Sequence, residues 1–124
     1  MGISHSDFLT MQARLDARQV KNFRQLVAVR QSEADLHDQI LSECRRRAWP
    51  VVHSRMDRPT TSAVGTPDFV IALPKGRTLW IEAKTAHGKL TMEQRTWLFW
   101  LQKLGHRAFV VRSFQDFLSV LNSL

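Results

Sequence analysis

The chain has 124 residues, of which 44% are hydrophobic and 23% charged, a composition typical of one small folded domain rather than of a disordered or multidomain protein. Lys and Arg number 18 against 11 Asp and Glu, and this positive excess favours a polyanionic partner, above all nucleic acid. The single cysteine, Cys44, excludes an intrachain disulfide and a cysteine-rich zinc site. The sequence contains neither an apolar stretch of membrane-spanning length nor a recognisable secretory signal, so we expect a cytoplasmic protein with no membrane partner.

The N-terminal residues 1–31 are predicted to form a basic helical arm. One or two helices are expected over residues 7–31, with an apolar stripe and five basic residues. Two interpretations stay open: a solvated or dimer-forming helical face, and an arm that lies along a phosphate backbone. We expect the remaining residues, 32–124, to form one compact domain.

A second helix is predicted over residues 33–47. Ser32 is a favourable N-cap residue, Glu33 lies in the first turn where the helix dipole favours acidic side chains, and Pro50 prevents continuation. A short strand over residues 51–53 follows. Residues 54–67 show no periodicity and are predicted to be a functional or disordered loop.

The rest of the chain alternates between strands and helices. A hairpin of strands 68–73 and 79–84 precedes a helix over residues 92–104, a strand over 108–112 and a closing helix that begins after Ser113. The passage from strand 79–84 through the helix to strand 108–112 requires a parallel crossover. The predicted fold class is therefore α/β, a mixed sheet flanked by helices.

Three charged residues are predicted to converge on the hairpin. Glu82 and Lys84 project from the same face of their strand, and Asp68 on the neighbouring strand can reach that face. Strand centres usually exclude such residues, and two adjacent carboxylates repel each other unless a hard cation such as Mg²⁺ or Mn²⁺ lies between them. The Lys84 ammonium could orient a water nucleophile or stabilise charge that develops on a phosphate. The pattern therefore indicates metal-assisted phosphodiester hydrolysis.

The motifs around these residues resemble one nuclease family. Pro67-Asp68 followed by Glu82-Ala83-Lys84 is similar to the PD-(D/E)xK nuclease signature. The flanking segments Gly65–Phe69, Trp80–Lys84, Gly88–Gln94 and Leu104-Gly105 resemble the virus-type replication-repair nuclease (VRR-NUC) domain over residues 32–112. The resemblance implies a PD-(D/E)xK core of αβββαβ order with an additional N-terminal arm.

The resemblance also implies residue roles. Asp68 and Glu82 would bind the metal with the Ala83 carbonyl, Glu33 would complete the metal environment, and Lys84 would serve the nucleophile or the transition state. Gln94 matches the glutamine that follows the lysine strand in this family. Relatives of this kind resemble Holliday-junction resolvases, which implies a homodimer that cuts branched DNA in repair or recombination, in a bacterial or virus-infected host cytoplasm.

Alternatives to these roles remain open. Asp68, Glu82 and Lys84 could form a structural ion-pair cluster, Glu33 could be an ordinary helix-start residue, and Gln94 could close a capping box with Thr91. The expected function is a Mg²⁺- or Mn²⁺-dependent, structure-selective DNA endonuclease; the alternative is a non-catalytic nucleic-acid-binding module with the same fold. A partner that is an acidic protein is a third hypothesis.

Basic side chains outside the motif are candidates for contacts with the DNA backbone. They are Arg45, Arg46, Arg47, Arg55, Arg58, Lys89 and Arg95. The aromatic residues Trp97, Phe99 and Trp100 exceed the needs of one core-facing stripe and are interpreted as either a dimer surface or core. His37, one turn after Glu33, could touch substrate or metal, but is interpreted as a surface or supporting residue; His53 shows no ligand spacing.

Overall fold

The computed structural model describes residues 4–54 and 63–124, apart from the side chains of Ala13, Leu15, Phe23 and residues 25–32. The chain divides into two units, Met1–Ser32 and Glu33–Leu124. Most of the predicted loop over residues 54–67, including Arg55 and Arg58, lies outside the described residues.

Helix α1 spans His5–Arg46 without interruption. The prediction of a helix start at Ser32 is therefore wrong. The physical reason is that no Gly or Pro occurs between residues 5 and 46, and a serine inside a helix carries only a modest penalty. Along the first unit the described side chains are exposed, among them the apolar Phe8 and Met11 and the basic Arg14 and Arg18.

Four strands form one sheet in the order β1-β2-β3-β4. They are β1 (Val51–His53), β2 (Phe69–Leu73), β3 (Arg77–Ala83) and β4 (Arg107–Val111). Strands β1 and β2 pair antiparallel, as do β2 and β3, whereas β3 and β4 pair parallel. The mixed sheet with flanking helices confirms the predicted fold class.

Helix α2 (Met92–Lys103) makes the crossover between β3 and β4, and α3 (Phe114–Asn122) closes the chain. Thr91 caps α2 in a capping box with Gln94, and Gly105 follows the helix at a φ of +89°, as the sequence predicts. Strands β2 and β3 are each one residue shorter than predicted at the end near the charged motif. Asp68 therefore directly precedes β2, and Lys84 directly follows β3.

The two faces of the sheet carry separate clusters of buried residues. One cluster joins α1 and α3 to the sheet, and its fully buried members include Ile40, Cys44, Ile81 and Phe117. The other joins α2 to the sheet through Leu98, Leu101 and Ala108. Cys44 is a small buried core residue as predicted, and burial raises its pKa to about 11. No helix within residues 4–54 and 63–124 has the length and apolarity needed to cross a bilayer.

Candidate active site

The three charged residues of the motif meet at one end of the central strand pair. The Ala83 backbone N–H donates a hydrogen bond of 2.9 Å to Asp68 Oδ2, which ties the residue before β2 to the end of β3. Lys84 Nζ lies 3.8 Å from Glu82 Oε1, on the same side of the strand. The Asp68 and Lys84 side chains keep 17% and 16% of their surface exposed, so the cluster is open to solvent on one side.

Glu82 is the buried member of the group, with 2% of its side-chain surface exposed. Burial, followed by the negative charge of Asp68, raises its pKa to about 8, while the Lys84 ammonium and a hydrogen bond from the Asp68 backbone oppose this shift. Glu33 on α1 adds a smaller contribution that also raises the pKa of Glu82. Glu33 is thus close enough to influence the site, and the positive charge of Lys84 alone does not compensate the two carboxylates.

Gln94 contacts the site and caps α2 at the same time. Its Oε1 accepts a hydrogen bond of 2.9 Å from the Thr91 backbone N–H. Because this donor fixes which end of the amide is the oxygen, Nε2 points the other way, and it donates a hydrogen bond of 2.9 Å to Glu82 Oε1. The two interpretations of Gln94 are therefore compatible, since one amide serves both.

Gly65 lies against the first turn of α2. Its φ is +88°, and a Cβ added there would lie 2.5 Å from the backbone carbon of Glu93, which is closer than any side chain can be placed. The loop that leads to Asp68 therefore packs directly on the helix that carries Gln94. This contact explains why the Gly65–Phe69 motif begins with a glycine.

Arg112 holds the segment between Lys84 and α2. Its Nη1 donates to the carbonyl oxygens of Thr85, at 2.9 Å, and Gly88, at 2.6 Å. The Lys84 backbone N–H donates to the Val111 carbonyl at 3.0 Å. Sequence patterns do not single out Arg112, because nothing in an isolated arginine after a strand indicates two carbonyl partners more than 20 residues away.

His37 and His53 also lie beside the site. His37 is 5% exposed; its Nδ1 is 3.0 Å from His53 Nε2, and its Nε2 is 3.6 Å from Asp68 Oδ2. The His53 ring stacks on Phe69, with a centroid distance of 4.6 Å. The interpretation of His37 as a surface residue is wrong, because α1 turns it towards the sheet together with Leu36 and Ile40. A supporting role agrees with its position.

The residues present fit a hard divalent cation. Glu82 Oε2 is buried and has no hydrogen-bond partner within the part of the chain that the structure describes, although unpaired carboxylate oxygens are costly to bury. No group of three or more His, Cys, Asp or Glu side chains within residues 4–54 and 63–124 could hold a metal ion. Two carboxylates suffice for Mg²⁺, however, because this ion keeps several of its waters.

The candidate DNA-binding residues have different surroundings. Arg46 and Arg47 both bind Glu43 one turn earlier on α1, and their hydrogen bonds lower the pKa of Glu43 to about 2. Arg45 is exposed. Lys89 and Arg95 are exposed as well, before and within the first turns of α2.

The three aromatic residues of α2 separate into two groups. Trp97 packs against the second cluster and stacks on Trp80, with ring centroids 6.3 Å apart. Phe99 and Trp100 are 56% and 50% exposed and share a cation–π contact with Lys103. The core interpretation therefore holds for Trp97 and is wrong for the other two.

The sequence matches one known protein family. The model of the family described as "VRR-NUC domain" matches residues 10–115. The chain belongs to the VRR-NUC family. The match covers most of the chain and reaches further towards the N-terminus than the resemblance over residues 32–112, so it includes much of the first unit.

A solved VRR-NUC structure shares the fold. A structure titled "VRR_NUC domain" is 21% identical, with a TM-score of 0.61, over 73% of this chain and 95% of that one. A second, titled "VRR_NUC domain protein", is 25% identical, with a TM-score of 0.48, over 58% of this chain and 64% of that one. No protein of curated function matches the chain.

The VRR-NUC family belongs to the PD-(D/E)xK nuclease superfamily, and its members are generally nucleases. Membership therefore supports a nuclease with DNA as the partner.

Proposed function

We propose that this VRR-NUC protein is a divalent-metal-dependent endonuclease that hydrolyses phosphodiester bonds of branched or otherwise structured DNA. The observation that carries the proposal is the meeting of Asp68, Glu82 and Lys84 at the end of β3. A structural ion-pair cluster would neutralise its charges and satisfy its oxygens. In contrast, this one brings two carboxyl groups together beside one ammonium, and Glu82 Oε2 is buried without a hydrogen-bond partner within the described residues.

In the proposed mechanism, Asp68 and Glu82 would hold Mg²⁺ or Mn²⁺ together with the Ala83 carbonyl, and Glu33 would complete the environment directly or through water. The bound ion would supply Lewis-acid stabilisation of the phosphate and a more acidic water. The Ala83 N–H orients the Asp68 carboxylate, and the Gln94 amide orients that of Glu82. Both carboxylates are thus positioned before substrate arrives.

We assign to Lys84 the role of stabilising negative charge on the reacting phosphate. Its ammonium is partly exposed and lies next to Glu82, where it can orient the attacking water or stabilise the additional negative charge of the transition state. A lysine on a strand end, held by the Val111 carbonyl at its backbone, has less freedom than one on a loop. This rigidity favours a catalytic over a general electrostatic role.

The wider assignments follow from charge and exposure. We assign residues 32–124 to the nuclease domain and residues 1–31 to a basic arm. The exposed Arg45, Lys89 and Arg95 are proposed to contact the DNA backbone, and Arg46 and Arg47 to contribute while bound to Glu43. We further propose that the enzyme acts as a homodimer in the cytoplasm, on DNA intermediates of repair or recombination.

The test is a cleavage assay on matched labelled substrates: a four-way junction, a flap, a splayed duplex and a linear duplex of the same sequence. Each is incubated with Mg²⁺, Mn²⁺, Ca²⁺ or EDTA, and the mass of the protein in solution is measured in parallel. We expect cutting of the branched substrates with Mg²⁺ or Mn²⁺ only. Binding to every substrate without cutting under any condition would instead establish a non-catalytic binding module.

A further inference from the structure

His37 is a buried polar residue in otherwise apolar surroundings. It lies on α1 between Leu36 and Ile40, is 5% exposed, and makes an edge-to-face contact with Phe69 at a centroid distance of 5.0 Å. Its Nε2 has no hydrogen-bond partner within the described residues. A carboxylate oxygen, Asp68 Oδ2, lies 3.6 Å from it. An imidazole in such a place is costly unless its polar atoms are used.

The distances fit one arrangement of protons on the two histidines. A neutral ring that presents Nε2–H to a carboxylate has a lone pair on Nδ1. His37 Nδ1 is 3.0 Å from His53 Nε2, so in this tautomer of His37 it can accept a hydrogen bond from His53 Nε2–H.

Among the residues that the structure describes, Asp68 Oδ2 has one hydrogen-bond donor, the Ala83 N–H, and one electrostatic neighbour, His37 Nε2. The Ala83 N–H approaches to 2.9 Å and the His37 edge to 3.6 Å; the second distance is longer than a hydrogen bond and within the range of an electrostatic contact. Within the described residues no hydrogen bond reaches Oδ1. The arrangement leaves Oδ1 available for a cation.

We propose that His37 is a positioning residue for the metal ligand Asp68, with His53 holding its tautomer. The inference rests on the proposed metal-dependent activity. His37 itself touches neither the metal nor the DNA; it restricts the rotation of the Asp68 carboxylate. Groups that orient a metal ligand in this way typically change metal affinity or activity by about 10- to 100-fold when removed.

The experiment compares three replacements of His37 that separate packing from hydrogen bonding. His37→Gln keeps an N–H near the position of Nε2, His37→Asn keeps a polar atom only near Nδ1, and His37→Phe keeps the ring alone. The Mn²⁺ dissociation constant is measured by calorimetry without DNA, DNA affinity is measured in EDTA, and the melting temperature is measured for each variant. His106→Gln, on an exposed histidine, is the matched control.

We expect His37→Asn and His37→Phe to weaken Mn²⁺ binding about tenfold, and His37→Gln to remain within about threefold of wild type. DNA affinity in EDTA should not change, because it reports the basic surface and not the carboxylate. Equal Mn²⁺ affinity in all variants would overturn the inference. So would a loss of Mn²⁺ affinity that follows the fall in melting temperature and is just as large in His37→Gln. If the wild type cuts and binds Mn²⁺, that failure leaves the proposed function intact. A wild type that binds no Mn²⁺ but still cuts would overturn the inference alone, whereas one that neither binds Mn²⁺ nor cuts with any cation would overturn both.

Discussion

The two faces of β3 are both covered by helices, but only one of them combines apolar side chains with charged ones. Leu79, Ile81 and Ala83 face α1 and α3, and all three are fully buried. On the other face the alternate positions are Trp80 and Glu82, followed by Lys84 just beyond the strand. The first face has the composition of an ordinary hydrophobic core, whereas the second places a carboxyl group at 2% exposure beside another carboxyl.

This difference shows that one strand can separate stability from chemistry. Burial of apolar surface on the α1 and α3 side contributes favourable free energy. The α2 side carries an unfavourable group whose cost is tolerated because the fold is stabilised elsewhere. Substitutions on the charged face should therefore lower the cleavage rate, and those on the apolar face should lower the free energy of unfolding.

The largest expected effect is on catalysis, at the charged face. Asp68→Ala, Glu82→Ala and Lys84→Ala should each lower the cleavage rate by about 10³-fold or more, because each removes a charge aimed at the reacting phosphate or its metal. Calorimetry with Mn²⁺ should distinguish them, since only the two carboxylate variants lose metal binding. Lys75→Ala, at the far hairpin turn, is the control; near-normal cleavage by any of the three site variants would refute the assigned role.

The second prediction concerns the apolar face. Ile81→Ala should lower the free energy of unfolding by about 2–5 kcal/mol, because it leaves a cavity in a fully buried layer. Chemical denaturation measures the loss, and Val52→Ala on the exposed side of β1 should cost less than about 0.5 kcal/mol. At a temperature where Ile81→Ala stays folded, its cleavage rate should be close to wild type. A catalytic defect in the folded variant would mean that the two faces are not separate.

The third prediction uses the raised pKa of Glu82. In the metal-free protein this pKa is about 8 against 4.5 ordinarily, so the unfolded chain releases the proton more readily, and the contribution of Glu82 to stability falls as pH rises from about 4.5 to about 8. Glu82→Gln should abolish this decline and raise the melting temperature at pH 8, by the few degrees that correspond to about 1–3 kcal/mol.

Melting curves in EDTA at pH 5, 6.5 and 8 measure this effect as a difference between wild type and variant. Glu93→Gln, on an exposed glutamate in the same region, is the control and should leave the pH dependence unchanged. Parallel curves for wild type and Glu82→Gln would contradict a buried, destabilised carboxyl group.

The smallest expected effect separates the two roles of Gln94. Thr91→Ala and Gln94→Ala both break the capping box and should each cost about 0.5–2 kcal/mol of stability. Only Gln94→Ala also removes the hydrogen bond to Glu82, so it alone should reduce the cleavage rate, by about tenfold. Equal cleavage rates for the two variants would assign Gln94 to the cap alone.

Local patterns predicted most of the fold. The hairpin, the Thr91 cap and Gly105 each depend on a few neighbouring residues, and the structure confirms them. Continuity of α1 could not be predicted in the same way. A serine followed by acidic residues is compatible both with a helix start and with a helix interior when no Gly or Pro intervenes.

Contacts between distant parts of the chain could not be predicted from the sequence. His37 and His53 are 16 residues apart and meet because α1 packs on the sheet beside β1. Arg112 reaches Thr85 across 27 residues. Convergence of Asp68, Glu82 and Lys84 could be anticipated because the hairpin makes it a local event, whereas the residues that support them come from separate elements.

The close approach of Gly65 to Glu93 has a consequence for how functional positions are recognised. The residue that lets the Asp68 loop and the Gln94 helix touch has no reactive atoms and no side chain. A survey restricted to acids, bases and nucleophiles would pass over it. A single added methyl group there would nevertheless push the loop before Asp68 away from the helix that carries Gln94.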